Sequence, residues 1–192
     1  MVNALFILGH AGSGKTQFSK KFIKSRLKQR EMWALMDKDT SGDCLGTALM
    51  MNLGLNPNDR DSLEYKNKVR DLEYQACLDM ARDQLKLGIN VVLPGPWTKE
   101  LETGKLFNSK DLGFPKGTKL THIYLDAPEF KIKQRIIERN NIRDEWKINN
   151  WQEFAKRLKK PRAIIENEIL TFNTEEEFGQ QEKLLLEQLN RR

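Results

Sequence analysis

Five short apolar runs punctuate the chain, and the stretches between them repeat apolar residues at helical spacing. Residues 4–8 (ALFIL) are unbroken apolar sequence closed by Gly9, which predicts a strand buried on both faces. From Lys15 to about Gln29 the pattern turns helical, with Phe18, Phe22, Ile23 and Leu27 on one face and lysines on the other. Residues 32–37 (MWALMD) read as a second buried strand, 42–53 as a helix, and 53–62 (LGLNPNDRDS) as a loop. Asp61 with Glu64 has the form of a capping pair for one long helix, in which Tyr65, Val69, Leu72, Ala76 and Met80 make the stripe and Gly88 the stop.

The third strand is read at 89–95 (INVVLPG), the fourth at 121–126 (THIYLD) and the fifth within 167–173 (NEILTFN). The turn-rich segment 112–119 leads into the fourth, and Pro128 opens the helix that follows it. Trp151 begins a short helix that Pro161 interrupts or ends. Thr174 to Glu177 resembles a capping box for a C-terminal amphipathic helix carrying Leu184, Leu185 and Leu189. Buried strands alternating with helices predict an α/β fold with a parallel sheet, right-handed crossovers and helices on both faces. With 192 residues, no repeat and no linker, residues 1–192 read as a single domain. Ligands in such sheets bind at the carboxyl ends of the strands. That edge collects residues 9–16, 37–40 and 94–99.

The first of these carries the sharpest motif. Gly9-His10-Ala11-Gly12-Ser13-Gly14-Lys15-Thr16 matches G-x-x-x-x-G-K-[ST] in full, between a predicted strand and a predicted helix. Glycines let successive amides curl inward around an anion, and the following helix points its positive end at the same place. Lys15 then supplies a charge for the β- and γ-phosphates, and the Thr16 hydroxyl ligates Mg²⁺. A nucleoside triphosphate with magnesium is the expected ligand. His10 fills a free position of the loop, and His122, at the start of a strand, reads as structural.

Charge adds a second signal. The formal net charge is +6, and residues 131–162 hold eleven Lys and Arg against four Asp and Glu, a local excess of seven. A phosphate-binding lid near 135–150, a solvated helix face and a nucleic-acid groove are the three readings of that excess. No apolar run nears the roughly 18 residues that span a bilayer, and the first apolar run is too short for a signal peptide, so the expectation is a cytoplasmic protein without a membrane partner. Cys44 and Cys77 lack metal or redox spacing and read as reduced structural thiols.

The third strand ends VVLPGPW without the carboxylate an ATPase motor places there, and no guanine-reading NKxD tetrapeptide occurs. The second strand instead ends in Asp37 and Asp39, within LMDKDTSG. A carboxylate at that edge accepts a proton from an attacking hydroxyl or organises water around Mg²⁺; helix capping by Asp39 or Asp43 is the structural alternative. Arg135 and Arg139 lie four apart on one predicted helix, with Arg143 in the loop beyond. Guanidinium forks match phosphate oxygens, and surface pairing with Glu138, Asp144 and Glu145 is the alternative.

The P-loop, the DKDT segment and the stretch YLDAP…R…R…RD together resemble small P-loop kinases. That group includes zeta toxins, polynucleotide 5′-kinases, chloramphenicol phosphotransferase, adenylylsulfate kinase and bacterial chains described only as ATP-binding or AAA-family proteins. The likeness runs to about residue 160 and is sharpest in the P-loop. It implies a three-layer P-loop NTPase fold with a five-stranded sheet in the order 2-3-1-4-5, ATP as the triphosphate, Asp37 as the base and Arg139 and Arg143 as lid arginines. Where such kinases often place an acidic or polar pair after the third strand, this chain has PGPWTKE. Trp97 and Lys99 are candidates to line the acceptor pocket, with Trp97 equally readable as a loop anchor; Arg70 and Tyr74 point to the same cleft. The expected activity is transfer of the γ-phosphoryl group of Mg·ATP to a hydroxyl of a small-molecule or nucleotide acceptor, by a monomer or homodimer. The alternatives are a polynucleotide 5′-kinase and an ATP-binding regulatory protein that hydrolyses slowly.

Overall fold

Strand alternation decides which residues line which layer. In the computed structural model, which describes residues 2–190, β1 (Asn3–Leu8) sends Ala4, Phe6 and Leu8 to one face of the sheet and Leu5 and Ile7 to the other, all fully buried. The other strands are β2 (Trp33–Leu35), β3 (Asn90–Pro94), β4 (Lys119–Asp126) and β5 (Leu170–Asn173). All pair in parallel, in the order β2-β3-β1-β4-β5. β1 is therefore central, between β3 (Phe6 opposite Leu93) and β4 (Phe6 opposite His122). This is the predicted three-layer architecture and order.

Helix α1 (Lys15–Lys28) covers one face with Phe18 and Phe22, joined by Leu185 of the C-terminal helix. The other face is covered by Tyr74, Cys77, Leu78, Ala81 and Leu85, together with Trp97 and Leu101. Cys44 and Cys77 are both free thiols, and Cys77 donates to the Met36 carbonyl at 3.1 Å. No helix among the described residues is long and apolar enough to cross a membrane.

Several predicted elements change shape. The helix expected at 42–53 is α3 (Asp43–Asn52), and a short α2 (Lys38–Ser41) that the sequence pattern does not predict precedes it. The long helix expected from 62 breaks at Val69 into α4 (Leu63–Lys68) and α5 (Arg70–Lys86). The break follows from two separate cores. Tyr65 and Val69 pack on Met50 in a satellite cluster, whereas Tyr74 onward faces the sheet, and one straight stripe cannot serve both. Leu72 and Met80, expected on the buried stripe, are accordingly exposed. The cap is Ser62, whose hydroxyl accepts the Tyr65 N–H at 3.1 Å; Asp61 instead pairs with Lys147 at 2.9 Å.

Beyond β3 lie α6 (Thr98–Glu102) and, after β4, α7 (Glu129–Arg139). Asn140, in the left-handed region at φ 44°, ends α7, and the chain continues through α8 (Glu145–Asn149) and α9 (Trp151–Ala155). Pro161 does not end the helix begun by Trp151, which stops at Ala155; it is the N-cap of α10 (Arg162–Glu166). The C-terminal helix, α11 (Phe178–Asn190), starts four residues later than expected. Thr174 makes no capping box; its N–H is bound by the Asp126 carbonyl at 2.9 Å and its hydroxyl by Arg135 at 2.9 Å.

His122 is the structural residue it was expected to be. It stacks on Phe6 at 5.3 Å and its Nε2 lies 3.0 Å from the Leu106 carbonyl. Burial pushes its pKa down to about 4, against a backbone hydrogen bond that raises it. The unfolded chain therefore binds the proton first as pH falls, so stability present above about 6.5 is lost progressively toward pH 4. That loss is about 3 kcal/mol in total. Urea titrations across this range should show the slope, and His122→Phe should reduce it by one proton; an unchanged slope would contradict the assignment.

Candidate active site

The P-loop starts where β1 leaves the sheet. Gly9 has φ 145°, and a Cβ there would lie 2.6 Å from the Leu125 carbonyl oxygen, so only glycine lets the loop pass this close to β4. Gly12 has φ 78°, and its Cβ would meet the Ile132 carbonyl at 3.0 Å and the Ile136 side chain at 3.1 Å. The loop is thus seated against α7, the helix that bears Arg135 and Arg139. Ser13 N–H donates to the His10 carbonyl at 3.2 Å, closing the turn. Gly14 forms the left-handed N-cap of α1 without a side-chain cap, leaving the opening amides of that helix directed at the concavity.

Lys15 Nζ donates to the His10 carbonyl at 2.6 Å across the same concavity. Burial pushes its pKa down to about 8; Asp39 and Asp37 oppose that shift, while Arg139 and Lys38 add to it. An ammonium so poorly solvated is poised to gain from a polyanion. The Thr16 hydroxyl donates to Asp37 Oδ2 at 3.0 Å, tying the start of α1 to the end of β2. Asp37 is nearly buried, and its Oδ1 accepts the Asp39 N–H at 3.1 Å, making it the N-cap of α2. The capping role weighed as the structural alternative for Asp39 or Asp43 is filled at α2 by Asp37. Each carboxylate oxygen of Asp37 retains acceptor capacity.

Asp39 accepts Lys38 Nζ at 2.6 Å; burial would raise its pKa, but Lys38 and Arg143 hold it below the usual range. Arg135 lies over the loop, 3.5 Å from the Gly12 carbonyl, and also bonds Glu175 at 3.0 Å. Arg139 binds Asp144 through Nε at 2.6 Å. Arg143 reaches Asp43 at 2.6 Å and Asp39 at 3.6 Å. His10 contributes mainly its carbonyl: its ring lies edge-on to Tyr124 and its Nε2 faces the Lys159 carbonyl at 3.1 Å, and burial lowers its pKa. The fold therefore gathers Gly9–Thr16, Asp37, Asp39, Arg135, Arg139 and Arg143 around one edge, with all three arginines paired to carboxylates.

A cavity of about 70 Å³ adjoins the loop, lined by Gly14, Gln17, Phe18, Arg135, Thr174 and Phe178. Trp97, by contrast, is a core anchor: fully buried, edge-on to Phe6 and Tyr74, with Nε1 donating to the Leu93 carbonyl at 3.3 Å. Arg70 forks onto Glu100 at 2.9 and 2.8 Å and lies 3.9 Å above the Tyr74 ring. Glu73 and Glu100 belong to this neighbourhood without having been singled out in the sequence, and Asp144 is the pairing partner weighed as the alternative for the arginines. For Glu73 a signal exists: it lies four residues from both Val69 and Cys77, on the buried side of its helix.

Fold and loop define a P-loop protein of the three-layer, parallel-sheet class. The sequence profile of the family described as an AAA domain (AAA_33) matches residues 5–161, and the chain belongs to that family. No curated protein matches the sequence. Among solved structures, a provisionally assigned kinase from Chloroflexus aurantiacus J-10-fl is similar at 16% identity and TM-score 0.63, over 97% of each chain. A sugar kinase from Janibacter sp. HTCC2649 shares 14% identity over 98% of this chain and 92% of its own, with TM-score 0.55. The Mycobacterium tuberculosis APS kinase, in complex with AMPPNP and APS, shares 12% over 99% and 98%, with TM-score 0.54.

Proposed function

We propose that this protein is an ATP-dependent phosphotransferase acting on an acceptor hydroxyl. The observation that carries the reading is the convergence of Lys15, the Thr16 hydroxyl and Asp37 at one edge of the sheet, with Thr16 and Asp37 in direct contact. In this reading the β- and γ-phosphates occupy the concavity of residues 9–16, and the Lys15 ammonium leaves the His10 carbonyl for their oxygens. The base end of the nucleotide enters the cavity beside Arg135 and Phe178.

Thr16 and Asp37 present oxygen donors suited to Mg²⁺, with Asp39 next to them. No cluster of three His, Cys, Asp or Glu among the described residues could hold a cation alone. A magnesium ion held by Thr16 and Asp37 would take its remaining ligands from phosphate oxygens and water. When bound, the metal neutralises charge on the β- and γ-phosphates. Asp37 receives the proton of the acceptor hydroxyl. Arg139 and Arg143 exchange Asp144 and Asp43 for phosphate oxygens, closing the segment near 135–150 and excluding water.

The test is purified protein with γ-labelled ATP, magnesium and a panel of hydroxyl acceptors. Label transferred to an acceptor supports the reading; free phosphate alone points to a regulatory ATPase. Calorimetry without any heat for adenylate or guanylate analogues would remove the nucleotide site itself. Arg135→Ala should weaken ATP binding about tenfold, the worth of one hydrogen bond to a charged group. An unchanged dissociation constant would place the nucleotide elsewhere.

A further inference from the structure

Resting on the kinase reading, we propose that the acceptor is a polyhydroxylated molecule carrying an amine, of the amino-sugar or aminocyclitol class, rather than a nucleotide or a nucleic-acid end. The argument comes from the wall beyond Asp37. Five cations stand there, and each is already in contact with a carboxylate: Lys38 with Asp39 at 2.6 Å and Glu73 at 3.7 Å, Arg60 with Asp43 at 3.0 Å, Arg70 with Glu100 and Asp71 at 2.8 Å, Lys99 with Asp71, and Arg143 with Asp43 at 2.6 Å. The five cations cancel Asp39, Asp43, Asp71, Glu73 and Glu100, which leaves Asp37 in excess and the wall at −1. Once Arg143 turns to the γ-phosphate, Asp39 keeps Lys38 and Asp43 keeps Arg60, but the cation between the two carboxylates is gone and the wall stands at −2. The positive charge of the site thus belongs to the ATP side, while the acceptor side becomes more negative as the lid closes.

An anionic acceptor would have to break one of these pairs. Arg70 and Glu100 are only 13% and 10% exposed, and separating a desolvated pair strands a buried charge. A nucleobase would also lack a platform. Trp97 is fully buried, and Tyr74 is covered by Arg70 on its face and by Trp97 at 4.6 Å. Hydroxyl groups suit a wall of alternating carboxylates and guanidinium groups, because each hydroxyl both donates and accepts. An ammonium group suits the place between Asp39 and Asp43 that Arg143 leaves.

In the transfer, the acceptor oxygen forms a bond to the γ-phosphorus as the bond from that phosphorus to the β–γ bridging oxygen breaks. ADP leaves with the bonding electron pair, and the hydroxyl proton passes to Asp37.

The experiment offers γ-labelled Mg·ATP with glucosamine and kanamycin A, each against its N-acetylated, uncharged form, and with AMP and an oligonucleotide bearing a free 5′-hydroxyl. The expected result is labelling of an amine-bearing polyol with kcat/KM at least about tenfold above its acetylated form, AMP and the oligonucleotide. Asp43→Asn should reduce that amine preference severalfold. Faster labelling of AMP or the oligonucleotide, equal labelling of amine and acetylated forms, or ATP binding without transfer to any amine overturns the proposal. Failure to bind ATP at all would instead bring down the kinase reading beneath it. The comparison within the unmodified protein holds even if the variant does not fold.

Discussion

Lys15→Ala is expected to lower phosphoryl transfer by about 10²–10³-fold, or ~3–4 kcal/mol of transition-state stabilisation. The size follows from what such an enzyme provides. Phosphoryl transfer has little covalent chemistry for the protein to perform, so positioning and electrostatics carry most of the acceleration. Lys15 is a full charge held within a concavity of inward-directed amides, and burial has already stripped away much of its solvation. The stability effect should run the other way. Removing a cation that is penalised by burial and bonded only through the His10 carbonyl should leave the melting temperature unchanged or slightly higher. Single-turnover rates and thermal melts on the same preparation separate the two effects. A variant that keeps its rate within a few-fold would mean that the loop does not hold the transferring group.

The second large effect is expected of Asp37→Asn. Asparagine caps helices as well as aspartate does: its Oδ1 can still accept the Asp39 amide, and its Nδ2 can donate to the Thr16 hydroxyl, which then accepts instead of donating. Local structure is therefore kept while the negative charge and the basic oxygen are lost. Transfer should fall by about 10²–10⁴-fold, the range for loss of a positioned general base. ATP affinity in magnesium should stay within a few-fold of the unmodified protein. If affinity collapses in magnesium and survives in its absence, Asp37 is an organiser of the metal rather than the base. Calorimetry with and without magnesium, beside the transfer assay, distinguishes the two roles.

Much of this site could be read along the chain because its parts are local. The P-loop is eight consecutive residues between a strand and a helix, and contiguous backbone can form an anion cradle without help from elsewhere. Asp37 and Asp39 were visible for a similar reason, since a strand in a parallel sheet delivers whatever follows its carboxyl end to the binding edge. The helix faces were less legible. The stripe through Leu72 and Met80 assumed one continuous core, whereas Tyr65 and Val69 serve a satellite core and Tyr74 onward serves the sheet. Trp97 illustrates the same limit: a tryptophan in a loop at the binding edge reads equally well as a stacking platform or an anchor, and only its burial against Phe6 and Tyr74 decides between them.

The basic stretch shows most clearly where sequence stops. Its excess of seven charges is legible in the chain, and so are local pairs such as Arg139 with Asp144 and Arg157 with Glu153, but other partners come from distant segments: Glu175 for Lys131 and Arg135, Asp43 for Arg143, Asp61 for Lys147 and Arg157, and Asp126 for Lys160. By itself the sequence determined the sheet, its order through the family resemblance, the phosphate cradle and the acids beside it, because these follow from short-range periodicity and contiguous motifs. The tertiary structure alone decided which of the distant charges neutralise one another and which aromatic rings are sealed in the core. Those depend on through-space distances between residues far apart in the chain, and no local pattern encodes them.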